Sequence, residues 1–253
     1  MPLSGRTVLV TGASKGIGAA IARALGERGA AVAAHYGSDE AGAAEATAAI
    51  SDERKLLVQA DLGDPAAVAR LWREATHWRG GVDVLVNNAA VMTESALEGT
   101  DEEWDGAWDE MLRVNVLAPA SLMRDAVRHF GERGGGTLIT LSSWAAQRGS
   151  GNPKLVGYAA TKAAVRSVTQ TIARNYAAQG ILAYVVAPGI VRTRMSEISA
   201  ASTGGEEAVT AGLAMREWVP PEDVADLVAF LATGRVRHLT GSTLDVNGAS
   251  YIR

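Results

Sequence analysis

One pattern constrains this 253-residue chain more than any other: short, fully apolar runs take turns with longer, alanine-rich amphipathic ones. The strand candidates are Thr7–Thr11, Ala31–Tyr36, Lys55–Ala60, Val82–Asn87, Thr137–Leu141, Leu182–Ala187 and Thr243–Val246. Most are apolar throughout, as strands covered on both faces of a parallel sheet must be. Between them fall the helix candidates Gly16–Arg28, Glu40–Ile50, Pro65–Trp78, Glu102–Arg133, Tyr158–Ala178 and Glu222–Leu231. Glu102–Arg133 is expected to break near Pro119, which cannot donate a backbone hydrogen bond. Alternation of this kind predicts an α/β fold: a doubly wound parallel seven-stranded sheet with helices on both faces. No linker and no internal repeat divides the chain, so residues 1–253 are expected to form a single domain. Thr193 to Val219 is irregular. It is expected to be a lid or a set of short mobile helices over the substrate, with a plain surface excursion as the alternative.

Composition narrows the function classes. The net charge is −4 and no basic stripe is visible, which argues against a nucleic-acid partner. There is no cysteine, so disulfides, thiolate nucleophiles and cysteine metal sites are excluded together. His35, His77, His129 and His238 are scattered without ligand-type spacing, and no catalytic metal is expected. The first eleven residues lack a signal-peptide pattern, and no apolar run approaches the ~20 residues of a membrane span. A soluble, cytoplasmic protein is the expectation.

The first strand leads directly into Thr11-Gly12-Ala13-Ser14-Lys15-Gly16-Ile17-Gly18, where a helix begins. Glycines at such a turn let the backbone approach a pyrophosphate, and the helix N-terminus offers free N–H donors. About 20 residues on, the second strand should meet the adenosine ribose. The chain reads His35-Tyr36-Gly37-Ser38 there, with no carboxylate at the tip. Lys15 facing a 2′-phosphate, with Ser38 and Tyr36 donating to it, would favour NADP(H) over NAD(H); the alternative is that Tyr36 packs and Lys15 is solvated. Asp61-Leu62 ends the third strand. Asp61 is placed either to accept from an adenine amino group or to cap the next helix.

Tyr158 and Lys162 stand four apart on a helix candidate, hence on one face. A nearby ammonium favours a phenolate. Moving a tyrosine pKa from about 10 to about 7 takes roughly 4 kcal/mol, which one close lysine and a cationic cofactor ring could supply together.

With these pieces in place, the chain resembles the short-chain dehydrogenase/reductase family over essentially its whole length. Thr11–Gly18 matches the family's cofactor loop, and Asn87-Asn88-Ala89-Ala90 its Asn-Asn-Ala-Gly motif. Asn115 matches the catalytic asparagine, Ser143 the catalytic serine, and Tyr158 and Lys162 the Tyr-x-x-x-Lys pair. Pro188-Gly189-Ile190-Val191-Arg192-Thr193 matches the Pro-Gly-x-x-x-Thr motif. Two departures stand out: Ala90 replaces a glycine, and the Ser143–Tyr158 interval is about two residues long for the family. Ser142 is the rival of Ser143.

The resemblance implies a Rossmann fold and hydride transfer between NADP(H) and a carbonyl or alcohol, closest to the 3-oxoacyl-acyl-carrier-protein reductase-like branch. It implies that Ser143 holds the substrate oxygen, Tyr158 is general acid/base, Lys162 lowers its pKa and binds the ribose, and Asn115 anchors a water. Gly12, Ser14, Lys15, Gly16, Ile17, Gly18, Tyr36, Ser38, Asp61, Leu62, Asn88, Ala89, Ala90, Pro188, Gly189, Ile190 and Thr193 are the expected cofactor contacts, together with Tyr158 and Lys162. Val91, Met92, Trp144, Ile190, Met195 and Trp218 are candidate substrate walls, Trp144 first among them. A homotetramer or dimer is implied through the Trp104–Leu112 helix and Tyr158–Ala178. The rival function is a catalytically silent nucleotide-binding regulator on the same fold.

Overall fold

A computed structural model describes residues 2–253. In chain order the elements are β1 (Thr7–Val10), α1 (Gly16–Glu27), β2 (Ala31–Tyr36), α2 (Glu40–Ala46), β3 (Lys55–Gln59), α3 (Pro65–Trp78), β4 (Val84–Asn87), α4 (Asp101–Leu112), α5 (Ala118–Glu132), β5 (Gly136–Leu141), α6 (Ala145–Arg148), α7 (Val156–Tyr176), β6 (Ile181–Pro188), α8 (Arg194–Ala201), α9 (Gly205–Ala211), α10 (Pro221–Ala232) and β7 (Thr243–Val246). The seven strands form one sheet in the order β3-β2-β1-β4-β5-β6-β7, every neighbouring pair parallel. The expected doubly wound α/β architecture is what forms.

Side-chain alternation along the strands sends apolar groups to two separate cores. Val8, Val10, Val84 and Val86 pack under α1 and α10 with Ile21, Leu25, Val224 and Val228. Leu9, Leu85 and Leu138 pack on the opposite face with Leu71 and Trp72 of α3, Met123 and Phe130 of α5, and Ile172 of α7. Burial on both sides is why these strands read as continuous apolar runs. Strand order reverses between β1 and β4, and a crevice opens beyond the carboxyl ends of the strands at that point.

Three elements differ from expectation. α2 stops at Ala46 rather than Ile50. The Thr47 hydroxyl turns back onto the Ala43 carbonyl at 2.8 Å, and Ile50 leaves the helix to pack at Gly26, where a Cβ would lie 2.3 Å from it. The long helix 102–133 is two helices joined by a wide turn, Arg113–Leu117, with π-type hydrogen bonding. There the Ala118 N–H donates five residues back to the Arg113 carbonyl. Pro119 has no N–H to offer the Asn115 carbonyl four residues back, so the ladder widens just ahead of it rather than snapping at it. The third difference is α6, a single turn that no periodicity announces.

Residues 193–219 contain α8 and α9 around a small core of their own, Ala200, Leu213 and Trp218, with Trp144, Ile190 and Val209 packed against it. A parallel bridge between Val191 and Val219 brings the ends of the segment together. Among the described residues no helix is long and apolar enough to cross a membrane.

Candidate active site

The site is built on the β1–α1 turn. Gly12 (φ +67°) and Gly16 (φ +55°) occupy the left-handed region, where glycine is the residue without a steric penalty. The Asn88 amide donates to the Thr11 carbonyl at 2.9 Å and the Gly12 carbonyl at 3.1 Å. The Thr11 hydroxyl accepts from the backbone N–H groups of Asn88 at 3.0 Å and Ala89 at 3.1 Å. The two loops are thereby stitched together. Gly18 is packed so closely that a Cβ would lie 2.0 Å from the Gly12 carbonyl oxygen. α1 starts with no side-chain cap and no acid in its first turn. Its first N–H groups are therefore left for a ligand, and the helix dipole favours an anionic one.

These groups line a cavity of about 930 Å³ that runs from the glycine turn to Tyr158. A close-backed glycine turn and an uncapped helix start at one end of such a cavity fit a dinucleotide pyrophosphate.

Most expected cofactor positions line this cavity: Gly12, Ser14, Lys15, Gly16, Ile17, Gly18, Ser38, Asp61, Leu62, Asn88, Ala89, Ala90, Pro188, Gly189 and Thr193. Two do not. Tyr36 is buried, and its hydroxyl turns to Glu40, so burial and that carboxylate together push the phenol's pKa up. Ile190 packs with Trp144 and Trp218 instead. Asp61 is not a helix cap: its carboxylate accepts from the Gly63 N–H at 2.8 Å, and α3 is capped by Asp64, which accepts from the Ala66 N–H at 2.9 Å.

A residue that sequence reasoning passed over holds the turn from behind. His35 Nδ1 accepts the Gly12 N–H at 3.0 Å, and its Nε2 lies 3.0 Å from the Ala60 carbonyl. Gly12 can only donate and Ala60 can only accept, so the ring is the neutral tautomer protonated on Nε2. Burial pushes the pKa of His35 down. A base with a depressed folded-state pKa contributes stability that is intact above its ordinary value of 6.5 and is lost as pH falls below it. Dinucleotide affinity is expected to weaken between pH 7 and pH 5, because protonated Nδ1 must turn away from Gly12. His35→Asn, which can still accept, should weaken less over the same range. Affinity titrations of both proteins at the two pH values check this; parallel profiles would refute it.

Ser143, Tyr158 and Lys162 line the far half of the cavity, and Asn115 stands behind its wall, bonded to Val91 and Thr161. Asn115 sits in the wide turn between α4 and α5. Its Oδ1 accepts the Val91 N–H at 2.8 Å, and its Nδ2 donates to the Val91 carbonyl at 2.8 Å and the Thr161 hydroxyl at 3.2 Å. The amide is thus a clamp on the β4–α4 loop, with all its short-range bonding committed to protein. Ser142 and Ser143 divide their work. The Ser142 hydroxyl donates to the Lys162 carbonyl at 2.8 Å. The Ser143 oxygen accepts the Ala145 N–H at 3.2 Å and keeps its own proton to donate into the cavity.

Lys162 is buried, with Nζ donating to the Leu141 carbonyl at 2.9 Å and lying 5.7 Å from the centroid of the Tyr158 ring. Burial pushes the Tyr158 phenol up to about 12 and the Lys162 ammonium down to about 8. The expected depression called for a cationic cofactor ring as well as the lysine; burial by itself moves the phenol the other way. Loss of hydration outweighs a charge held at that distance, and at neutral pH the phenol carries its proton.

The candidate substrate walls divide as well. Val91, Met92 and Met195 line the cavity. Trp144, Ile190 and Trp218 do not: they form the small core beneath α8 and α9, with the Trp218 indole N–H donating to Thr210 at 2.8 Å. Trp144 follows Ser143 directly, but its N–H bonds to the Pro188 carbonyl and its ring packs against Ala200, Leu213 and Trp218.

Comparison with known proteins agrees with this geometry. The family model described as Enoyl-(Acyl carrier protein) reductase matches residues 12–249. The chain is similar to 3beta-hydroxysteroid dehydrogenase 1 of Eggerthella lenta, 37% identical over 97% of this chain and 94% of that one. A short-chain dehydrogenase from Burkholderia cenocepacia solved in complex with NADP superposes with a TM-score of 0.87 at 34% identity, covering 99% of each chain. A 3-ketoacyl-(acyl-carrier-protein) reductase from Brucella melitensis complexed with NADH gives 0.87 at 30% identity, covering 99% of this chain and 100% of that one.

Proposed function

The chain belongs to the short-chain dehydrogenase/reductase family and is an NAD(P)-dependent oxidoreductase acting on CH–OH or C=O groups; from that premise we propose that it uses Tyr158 as its general acid/base and NADP(H) as its preferred cofactor. The observation that carries the reading is the placing of Ser143, Tyr158 and Lys162 on the same cavity as an uncapped helix start and a close-backed glycine turn. The bound nicotinamide supplies or accepts the hydride.

The protein's own part is positioning and proton movement. Ser143 holds the substrate oxygen by donating its hydroxyl hydrogen. Tyr158, protonated at neutral pH, gives its proton to that oxygen as negative charge develops there. The buried Lys162 contributes positive potential and has two N–H donors left after its bond to Leu141; these are the donors for ribose hydroxyls. Asn115 acts by clamping Val91 and Thr161. Both Nδ2 hydrogens of Asn115 are spent on Val91 and Thr161, and its main-chain carbonyl, denied its α-helical donor by Pro119, is the acceptor we assign to a water in a proton relay. Thr193 lines the cavity and caps α8, accepting from the Ser196 N–H at 3.3 Å, so a group held at Thr193 is coupled to the lid segment 193–219. Leu112 and Leu117, 41% and 59% exposed near the junction of α4 and α5, support a homo-oligomer.

The preference for NADP(H) is supported by Lys15 and Ser38 on the cavity wall, while Tyr36 no longer contributes to it. Asp39, also on the wall, is held by the Gly42 N–H at 2.9 Å as the cap of α2. Turnover of a carbonyl panel followed at the nicotinamide absorbance band with each cofactor is the test. A kcat/KM at least about tenfold higher with NADPH, some 1.4 kcal/mol, is expected. Preference for NADH would refute the cofactor assignment. Absence of turnover with every carbonyl and both cofactors would favour the silent regulator. The substrates named for the relatives include a hydroxysteroid and a 3-ketoacyl chain on a carrier protein, so the names alone do not choose between a free apolar body and a carried thioester.

A further inference from the structure

The substrate half of the cavity has an uneven chemistry. Met195 and Ile198 stand three residues apart on α8, hence on one face, and both line the cavity. Met92 lines it from the loop after β4. Ile198 is 59% exposed, an unusual state for a large aliphatic side chain unless something covers it in use. The remainder of α8 is not short of apolar contact: Ala200 is already buried in the small core with Leu213 and Trp218. The helix therefore presents one apolar face that the fold satisfies and a second, toward the cavity, that the fold leaves uncovered.

The charges around the same mouth are already spoken for. Arg194, on the cavity wall, pairs with Glu197 at 3.5 Å. Arg192 pairs with Glu206 at 2.9 Å and lies 5.1 Å over the Trp218 ring. Lys154 pairs with Glu94 at 3.1 Å. A carboxylate or phosphate arriving with the substrate would meet three cations that already carry a carboxylate partner, and Arg148, which is bonded to the Ser250 carbonyl and lies 4.7 Å over the Trp144 ring. The chain's net charge of −4 adds no attraction.

We propose that the substrate is an uncharged ketone or secondary alcohol with a bulky apolar body, seated against Met92, Met195 and Ile198 with its C–O group toward Ser143 and Tyr158, and not a hydroxy acid or a thioester on an acidic carrier. The proposal rests on the hydride-transfer reading above. In the reductive direction a hydride from the reduced nicotinamide bonds to the carbonyl carbon, the C=O π bond opens, and the oxygen takes the Tyr158 proton; the products are the alcohol and the oxidised cofactor. The reverse restores both.

The test compares two ketones of equal carbon number, a neutral bicyclic one and an open-chain one ending in a carboxylate. The neutral ketone is expected to have a kcat/KM at least about tenfold higher, and Ile198→Asp should lower that value by about tenfold or more, mainly through KM, with NADPH affinity unchanged and Ile198→Met near the parent. Preference for the carboxylate, or an Ile198→Asp protein that handles the neutral ketone normally, would overturn the proposal. Equilibrium binding of both ketones to the NADP⁺-loaded Tyr158→Phe protein reads the same preference without chemistry. Tighter binding of the neutral ketone there supports the proposal, and equal or tighter binding of the carboxylate overturns it. Preferential apolar binding with no turnover by the parent enzyme would bring down the hydride-transfer reading and leave this one standing.

Discussion

Tyr158→Phe should lower kcat by about 10²–10⁴-fold, the range that one positioned proton donor contributes, while NADPH affinity stays within about threefold. The substitution deletes one oxygen and keeps the ring, so packing against Lys162 is preserved. What disappears is the proton carried by a phenol that burial holds up at about 12. The loss should fall on kcat and kcat/KM together, because the hydrogen transferred matters as charge develops on the substrate oxygen and contributes little before it. Steady-state kinetics alongside fluorescence titration of NADPH separate the two effects. A Tyr158→Phe enzyme with near-parental kcat would remove the tyrosine from its role, and one that had lost NADPH as well would show it to be a binding residue first.

Gly18→Ala is the second large effect, and it acts at the opposite end of the site. A methyl at this position would lie 2.0 Å from the Gly12 carbonyl oxygen and 2.5 Å from the Asn88 amide nitrogen. The first obstacle is backbone and cannot swing aside, so α1 must move away from the turn or the turn must open. Overpacking of this kind costs about 1–3 kcal/mol, and for a chain of this size each 1 kcal/mol shifts Tm by roughly 2–4 °C. Affinity should suffer more than stability. Both the first N–H groups of α1 and the Asn88 bonds to Thr11 and Gly12 are displaced, and each charge-assisted bond lost to an anionic ligand costs about 1.5–3 kcal/mol, or roughly tenfold or more in affinity. Thermal unfolding and NADPH titration are the measurements. Parental NADPH affinity in this variant would mean that the glycine turn does not hold the cofactor.

The sheet could be read from the sequence because each strand is buried on both sides, which leaves an unbroken apolar run for each. The ends of elements were harder. Thr47 satisfies its hydroxyl on Ala43 and ends α2 early, a choice that tertiary packing of Ile50 against Gly26 makes and local propensity does not. The small core under α8 and α9 was hidden for a related reason: it joins Trp144, Ile190 and Trp218 from three separate stretches of chain.

The reactive groups were legible because Tyr158 and Lys162 are fixed by one helical turn. His35 was not. Its two partners, Gly12 and Ala60, are 23 and 25 residues away on different loops, and nothing beside it in sequence marks it as their link. The polarity of Tyr36 misled for the converse reason. This residue is buried and off the cavity wall, and the nearby Glu40 carboxylate helps to keep its phenol protonated. Electrostatics were only half legible, since spacing shows that Lys162 is near Tyr158 but not how much water both have lost.

The wide turn at Arg113–Leu117 has a consequence for how this rod of helix can change over time. Each residue of an α-helix advances the azimuth by about 100°, so the widened stretch puts α4 and α5 in different angular frames. Met111, buried against Gly157, is aligned in one frame, and Leu122 and Met123, packed with α3 and α7 under the sheet, in the other. A single-codon deletion inside the wide turn would draw i→i−5 bonding back to i→i−4 and keep both faces, whereas the same deletion within α4 or α5 would rotate one set by about 100°. This turn should therefore tolerate the loss of one residue far better than the helices on either side of it.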